Sequence, residues 1–479
     1  MSESLAGNFS LHKGMHLHLV GIGGSGMSSI ARVLLGRGFV VSGSDQNDNR
    51  QTATLRQEGA KVFIGHDANH IKGAEGVIIS SAIPGSNPEI LAAREANVAV
   101  LKRADFLGLL MDGFIGIAVA GSHGKTTTTG MIAHVLLENG QDPTVILGGV
   151  LTGWQVNGRS GQGKHFVVEA DEYDYMFLGL KPQFCVITNI EHDHPDMFPT
   201  EKDYLDAFSQ FVQRISENGT LVYAGDDEGA ANMTESLEVP GVTMTSYGIP
   251  DDSNGHSFDF QALDARPNHL GGTDFLVQKG SEILGLVRLR IPGLHNVRNG
   301  LATIIIALNL GLDFADICRA LASFGGVGRR FQITGEIGGV TIIDDYAHHP
   351  TEIRATLAAA KQRYPGRRIW AVWQPHTYSR TKMMQAQFAD CFDDADKVVV
   401  LDIYRSREVD TLGVDAATVV QSMKHPSAIH VAEKHDVVNY LLDRILSDDV
   451  VLTLGAGDGN IVGQELLAAL KKRLQTYHP

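Results

Sequence analysis

Two glycine loops hold the residues of this chain best suited to chemistry, and they differ in kind. The first lies in LVGIGGSGMSSIARVLL, residues 19–35, where Gly21, Gly23 and Gly26 are spaced Gly-x-Gly-x-x-Gly. Glycines at this spacing allow a tight turn and let backbone N–H groups approach an anion. A helix starting there adds its partial positive charge. Asp45 closes the next apolar run, about 20 residues on, where a ribose hydroxyl would be met. The pattern fits a nicotinamide or flavin dinucleotide, another diphosphate-bearing handle, or a purely structural turn. The second loop is GSHGKTT, Gly121 to Thr127. Its amides would wrap β- and γ-phosphates, Lys125 would supply a cation, and Thr126 could ligate Mg2+. Strict phosphate-loop spacing asks for glycine at position 119, where this chain has Val119. Nucleoside triphosphate binding is read from the Gly-Lys-Thr-Thr core after an apolar strand. The alternative is an exposed lysine on a threonine-rich helical turn.

Two further stretches supply carboxylates and histidines. FVVEADE ends in Glu169, Asp171 and Glu172. A carboxylate at a strand end beside a phosphate loop is where an Mg2+ ligand belongs, although a solvated acidic turn would read the same way. TNIEHDHPD brings His192, Asp193, His194 and Asp196 to the end of another strand. His-x-His-x-Asp also suits a dinuclear zinc hydrolase, but Met197 stands where a further histidine would be needed, and no hydrolase context surrounds it. Strand-end polar residues facing a nucleotide fit better.

The elements that must position these residues read as α/β throughout. MHLHLVGI, FVVSGSD, AKVFIG, GVIISSA and NVAVL are strand-like, with helical segments between them, the first from Ser25 to about Gly36. A second unit runs through GIAVAG, HFVVEADE, FCVITNIEHDH, TLVYAGDDE and TMTSYG. HSFDFQAL, TDFLVQK and EILGLVRLRI then alternate as an antiparallel patch would. The helix PGLHNVRNGLATIIIALNLG follows, with Gly311 as its stop. A third unit contains VTIIDDYAHHP, RIWAVWQPH, KVVVLDIY and DVVLTLGAGDG. Strands alternating with helices predict parallel, doubly wound sheets. The expected organisation is three domains, 1–108, 109–326 and 327–479: Rossmann-like, a central P-loop ATPase-type mixed sheet, and Rossmann-like again.

Composition narrows the partners. The 479 residues are 43% hydrophobic and 20% charged, with a formal charge of −15 and no basic arm. Nucleic acid and anionic membrane partners, which need Lys/Arg clusters, are therefore not expected. The three cysteines, Cys185, Cys318 and Cys391, are far apart and suggest neither a disulfide framework nor a cysteine zinc site. The first twenty residues lack a signal-peptide pattern and no apolar run approaches a membrane span, so a cytoplasmic location is expected. Oligomeric state is not readable from these features.

Taken in order, AVAGSHGKTTTT, VVEADE, TNIEHDHPD, PGLHNVRNGLAT, GVGRRFQ, DDYAHHPTEI and QPHTYSRT resemble the motifs of the Mur ligase family, over about residues 14–470. The resemblance implies a UDP-substrate-binding first domain, a central ATPase and a third domain that closes over it. It implies ATP- and Mg2+-dependent amide formation between UDP-N-acetylmuramate and L-alanine in peptidoglycan synthesis. EADEYDYMF is shared with the branch that attaches a recycled tripeptide instead. The first loop then holds a UDP handle and the second the phosphate that moves. Gly121, Ser122, His123, Gly124, Lys125, Thr126, Thr127, His295, Asn296, Asn299, Arg330 and Tyr346 are implied for ATP. Gly23, Gly24, Ser25, Gly26, Asp45, Ser80, Ser81, His348, His349, His376 and Arg380 are implied for the UDP-substrate. Thr126 and Glu169 would ligate a first Mg2+ and His194 a second; Lys125, Glu169, His194 and Arg380 would carry catalysis. Of Arg329 and Arg330, and of His348 and His349, only one each is expected to function at the site. Phe208 aligns with a modified lysine found in several family members. Asp458 has no assigned contact.

Overall fold

The computed structural model describes residues 9–154, 156–251 and 257–477. The N-terminal stretch read for targeting falls partly outside these residues, as does His256 at the start of the alternating patch. Three sheets divide the chain. β1 (His16–Val20), β2 (Val40–Asp45), β3 (Lys61–Ile64), β4 (Gly76–Ile79) and β5 (Ala99–Lys102) form a parallel sheet in the order β3-β2-β1-β4-β5. The order reverses at β1, and the first glycine loop leaves β1 at that switch point, where ligands gather in open α/β sheets.

The central sheet has ten strands: β6 (Ile115–Ala120), β7 (Thr144–Ile146), β8 (Gly158–Arg159), β9 (His165–Glu169), β10 (Phe184–Ile187), β11 (Thr220–Ala224), β12 (Thr243–Gly248), β13 (Phe260–Pro267), β14 (Thr273–Lys279) and β15 (Glu282–Arg288). Their order is β15-β14-β13-β12-β11-β10-β6-β9-β7-β8. β13, β14 and β15 pair antiparallel, as their alternation predicts, and the β6, β9 and β10 core is parallel. The third sheet contains β16 (Gln332–Ile337), β17 (Val340–Asp345), β18 (Ile369–Trp373), β19 (Lys397–Val400), β20 (Ala428–His430) and β21 (Val450–Leu454), ordered β16-β17-β21-β18-β19-β20. Only the β16–β17 pair in it is antiparallel. The expected boundary at 108/109 falls inside the helix Arg103–Met111, which links the first two sheets.

Both glycine loops occupy the same place in their sheets, between the C-terminal end of a central strand and a helix. The first opens the helix Ser25–Gly36, and the second opens Lys125–Glu138 after β6. Gly124 caps the second helix at φ +81°, a left-handed conformation that a side chain would strain. Cys185 and Cys391 are buried and Cys318 half-buried, all unpaired. Among the described residues no helix is long and apolar enough to cross a membrane.

The units are tied by specific contacts as well as apolar packing. Asn157 of the central unit donates to Ser25 O (2.6 Å) and Ser28 Oγ (3.1 Å) in the first helix, and Arg32 donates back to Asn157 Oδ1. The third unit reaches the central one through Arg380 with Asp193 and Thr351 with Glu191. Phe208 is fully buried on the helix Glu201–Val212, edge-on to Phe177 (5.3 Å between ring centroids) and 5.1 Å from Tyr204. An apolar ring thus fills this position. Phe208→Ala is expected to cost the central unit about 3–5 kcal/mol in denaturant unfolding; a loss below about 1 kcal/mol would contradict this packing role.

Candidate active site

The second glycine loop is held in shape by residues of the loop that follows β10 (Phe184–Ile187). His123 N donates to Asn189 Oδ1 (2.8 Å), and Ser122 Oγ donates to Glu191 O (2.7 Å). Lys125 Nζ turns back to Gly121 O (2.5 Å) and Ser122 O (3.2 Å) and lies 2.8 Å from Glu172 Oε2. Burial opposes the charge on Lys125, but Glu172, and then Asp171, outweigh it and raise its pKa. Burial would likewise raise Glu172, yet Lys125 and His194 bring it down to about 2. The lysine is therefore a cation held in place before any phosphate arrives.

The structure sorts the three carboxylates that follow β9. Glu169 accepts from Thr126 Oγ1 (2.7 Å) and from Gly148 N (2.6 Å). Glu172 pairs with Lys125. Asp171 faces the first unit, 3.3 Å from Arg103 Nη2. Thr126 and Glu169 are oxygen donors side by side at the mouth of the loop, a set that suits Mg2+. His194, with φ +55°, places Nε2 3.6 Å from Glu172 Oε1. Burial opposes its proton, but Asp193 and Glu172 raise its pKa. The hydrolase pattern does not converge: His192 contacts Phe198 O and Asp196 accepts from Tyr173.

A cavity of about 820 Å3 opens beside the loop. His123, Gly124, Thr127, His295, Asn296, Asn299 and Arg330 all line it. Asn296 and Asn299 also bond to one another (3.1 Å), and Asn296 donates to Pro292 O, so they shape the helix start as well as the cavity wall. Burial, and then Arg298 and Arg330, lower His295 to about 4, so it is neutral near pH 7. Tyr346 sits between the guanidinium carbons of Arg329 (5.0 Å) and Arg330 (5.2 Å).

The third unit contributes a second group of residues. Arg380 Nε and Nη2 grip Asp193 at 2.8 and 3.2 Å, and its Nη1 lies 3.1 Å from His376 Nδ1. His348 is 5.9 Å from His376, ring to ring. Burial lowers His348 to about 3 and His376 to about 4, leaving both neutral acceptors or donors. The adjacent histidines part company: His349, grouped by the sequence with the UDP-substrate residues, packs against His123, 4.5 Å between rings. Arg329 bonds Asp344, Gly455 O and Gly457 O within its own unit, whereas Arg330 faces the cavity and Glu352. Asp458 is bound by Gln374 and Lys434, a structural contact.

At the first loop, Asp45 Oδ2 accepts from Gly23 N (2.9 Å), so this carboxylate braces the turn. Gly24 and Ser25 open the helix behind it. A Cβ on Gly26 would meet Arg103 Nη1 at 2.2 Å; glycine there lets the guanidinium reach the loop. Ser80 and Ser81 line a separate cavity of about 320 Å3 with Arg103, Lys102 and Arg94. Arg103 escaped the sequence reading because nothing in KRAD sets it apart from a surface arginine. Glu89 escaped it as well. Its fully buried carboxylate accepts from Ser44 Oγ (2.6 Å) and lies 2.8 Å from His70 Nδ1 and 3.0 Å from His66 Nδ1, beneath the end of β2.

The fold and site together define a class: proteins of three α/β units with a phosphate-loop type of turn in the middle one. Comparison narrows the class. Models of the Mur ligase family match residues 16–115 (catalytic domain), 119–307 (middle domain) and 329–457 (glutamate ligase domain). The chain belongs to the Mur ligase family. It is 42% identical over 460 residues to the UDP-N-acetylmuramate–L-alanine ligase of Geotalea daltonii and 41% over 461 residues to that of Clostridium botulinum, covering 95% of this chain and 98% of each relative. Among solved structures it resembles the UDP-N-acetylmuramate-alanine ligase of Thermotoga maritima (TM-score 0.79, 29% identity, 96% of this chain and 100% of that one). It also resembles a murein peptide ligase of Psychrobacter arcticus (TM-score 0.70, 26% identity, 95% and 99%).

Glu89 makes a prediction about pH. Burial would raise its pKa, but the nearby His18 ring, 3.7 Å away, and hydrogen bonds from Ser44 and His70 bring it from 4.5 to about 2. A depressed carboxylate stabilises the fold above its unfolded pKa and loses that contribution as pH falls through the folded one. Wild-type stability should therefore drop between about pH 4.5 and 2 more steeply than that of Glu89→Gln, which should start lower at pH 7. Parallel melting profiles of the two proteins across that window would contradict this.

Proposed function

We propose that this chain joins L-alanine to the lactyl carboxylate of UDP-N-acetylmuramate, with ATP as the energy source and Mg2+ as cofactor, in building the peptidoglycan precursor. The observation that carries the reading is the end-to-end match, over 95% of the chain, to ligases of that name. Attachment of a tripeptide to the same acceptor is the nearest alternative; it rests on a fold relative of lower identity and lower structural similarity.

A carboxylate resists amine attack because it is negatively charged and has no leaving group. The ligase removes both obstacles. A lactyl carboxylate oxygen attacks the γ-phosphorus of ATP, ADP leaves, and an acyl phosphate forms. The neutral amine of alanine then attacks the acyl carbon. The C–O bond to phosphate breaks, inorganic phosphate departs with that oxygen, and the amine proton passes to solvent or a nearby base. The protein positions the reactants and stabilises charge. Lys125, released from Glu172 as phosphates enter, would hold the β- and γ-phosphates. Thr126 and Glu169 would hold Mg2+, which when bound offsets phosphate charge. Arg380, steadied by Asp193, and the neutral His348 and His376 would face the acyl group, and His194 lies close by for a second metal-linked role. Gly23 to Gly26, Ser80, Ser81 and Arg103 would moor the UDP end. Closure of the third unit would exclude the water that hydrolyses an acyl phosphate.

Phosphate release with ATP and UDP-N-acetylmuramate should depend on free L-alanine and stay near background with the tripeptide; the opposite preference would favour the recycling ligase. Lys125→Ala should lower turnover by about 10^2-fold or more while UDP-N-acetylmuramate still binds. Turnover within about tenfold of wild type would remove Lys125 from the phosphate site.

A further inference from the structure

His123, Glu191 and His349 stand apart from the residues assigned to Mg2+. His123 and Glu191 belong to the central unit and His349 to the third. One donor atom from each lies within 4.8 Å of the others. His123 Nε2 is 3.2 Å from Glu191 Oε2, and His349 Nδ1 is 3.7 Å from the same oxygen. Around a tetrahedral zinc with ligands at about 2.0–2.1 Å, donor atoms sit about 3.3–3.4 Å apart. The first separation is within about 0.2 Å of that value; His349 Nδ1 also accepts from Thr351 N at 3.3 Å, a cap that ligation through this nitrogen displaces.

The surroundings match what metal-binding histidines and carboxylates use. The other nitrogen of His123, Nδ1, is backed by Glu352 Oε1 at 3.4 Å, and the other oxygen of Glu191 accepts from Thr351 Oγ1 at 2.7 Å. Such outer contacts orient ligands and raise their basicity. His349 is 2% exposed, and its Nε2 has no hydrogen-bond partner, so a buried ring nitrogen is unspent. Glu191 keeps 42% of its side chain exposed and lines the large cavity, which leaves an entry path and a fourth position for water.

We propose that His123, Glu191 and His349 bind one borderline divalent cation, Zn2+ in type, as a latch between the central and third units. Two imidazoles and one carboxylate select such ions over Mg2+, which prefers oxygen donors. The site is separate from the Thr126–Glu169 oxygen pair and does not depend on which amine the enzyme uses. Because its ligands come from two units, the ion binds only when they are apposed and so favours closure.

The test is a Zn2+ titration of the full chain by calorimetry, without nucleotide and with Mg2+ in large excess to occupy oxygen-donor positions. One Zn2+ per chain should bind and should raise the melting temperature. Glu191→Gln, from the central unit, and His349→Gln, from the third, should each weaken that binding at least tenfold, by analogy with losses from removing a single metal-orienting group. Co2+ in place of Zn2+ should show the visible absorption of a tetrahedral nitrogen–oxygen site in wild type and lose it in Glu191→Gln. If His349→Gln fails to fold, the half-exposed Glu191 position still decides the matter. Absence of Zn2+ binding under Mg2+, or wild-type affinity in Glu191→Gln, would overturn the proposal.

Discussion

The buried pair of Asp193 and Arg380 is the contact on which the assembled site depends. Their side chains are 4% and 5% exposed, and two guanidinium nitrogens meet the two carboxylate oxygens. Taking two ions out of water is costly, and removing one partner from such a pair typically costs about 3–5 kcal/mol. Asp193 stands on the loop that follows β10, Arg380 on the short helix Tyr378–Met383 of the third unit. Their pairing fixes where His376 and His348 lie relative to His194 and Lys125. The site exists as a site only when these two units meet.

Charge within the central unit is balanced in the same economical manner. Glu172 contacts both Lys125 and His194 beside the loop, while Glu169 is turned aside to Thr126. The first unit repeats the loop-and-helix geometry with another outcome. Its turn is braced by Asp45 and approached by Arg103, with no lysine in the loop. One geometry therefore appears twice, and under the proposed function it would serve a handle in the first unit and a reacting phosphate in the second. What separates them is the side chains aimed at the turn.

Much of this was legible in the sequence, because strands and loops write themselves in local patterns. Buried parallel strands read as apolar runs, TDFLVQK coincides with β14, and the Ser25–Gly36 helix lies where its spacing puts it. The edge strands β8, β16 and β20 were not legible, since they carry no distinct apolar run, and β7 is only three residues long. The site was legible as a set of residues but not as a set of pairings. The turn after β9, with Asp174 and Tyr175 at positive φ, decides which of Glu169, Asp171 and Glu172 faces which partner. His349 caps the helix Pro350–Arg363 and so turns away from His348, its neighbour in sequence. Arg103 and Glu89 act through contacts with residues tens of positions away, which no local pattern encodes.

Under the proposed function, energy captured at Lys125 would convert an inert carboxylate into a mixed anhydride with phosphate. Oxygen transfer tests it most directly. UDP-N-acetylmuramate labelled with heavy oxygen in its lactyl carboxylate is incubated with ATP, Mg2+ and L-alanine, and the released phosphate is examined by mass spectrometry. One labelled oxygen is expected in each phosphate formed. Unlabelled phosphate accompanying full amide formation would contradict it.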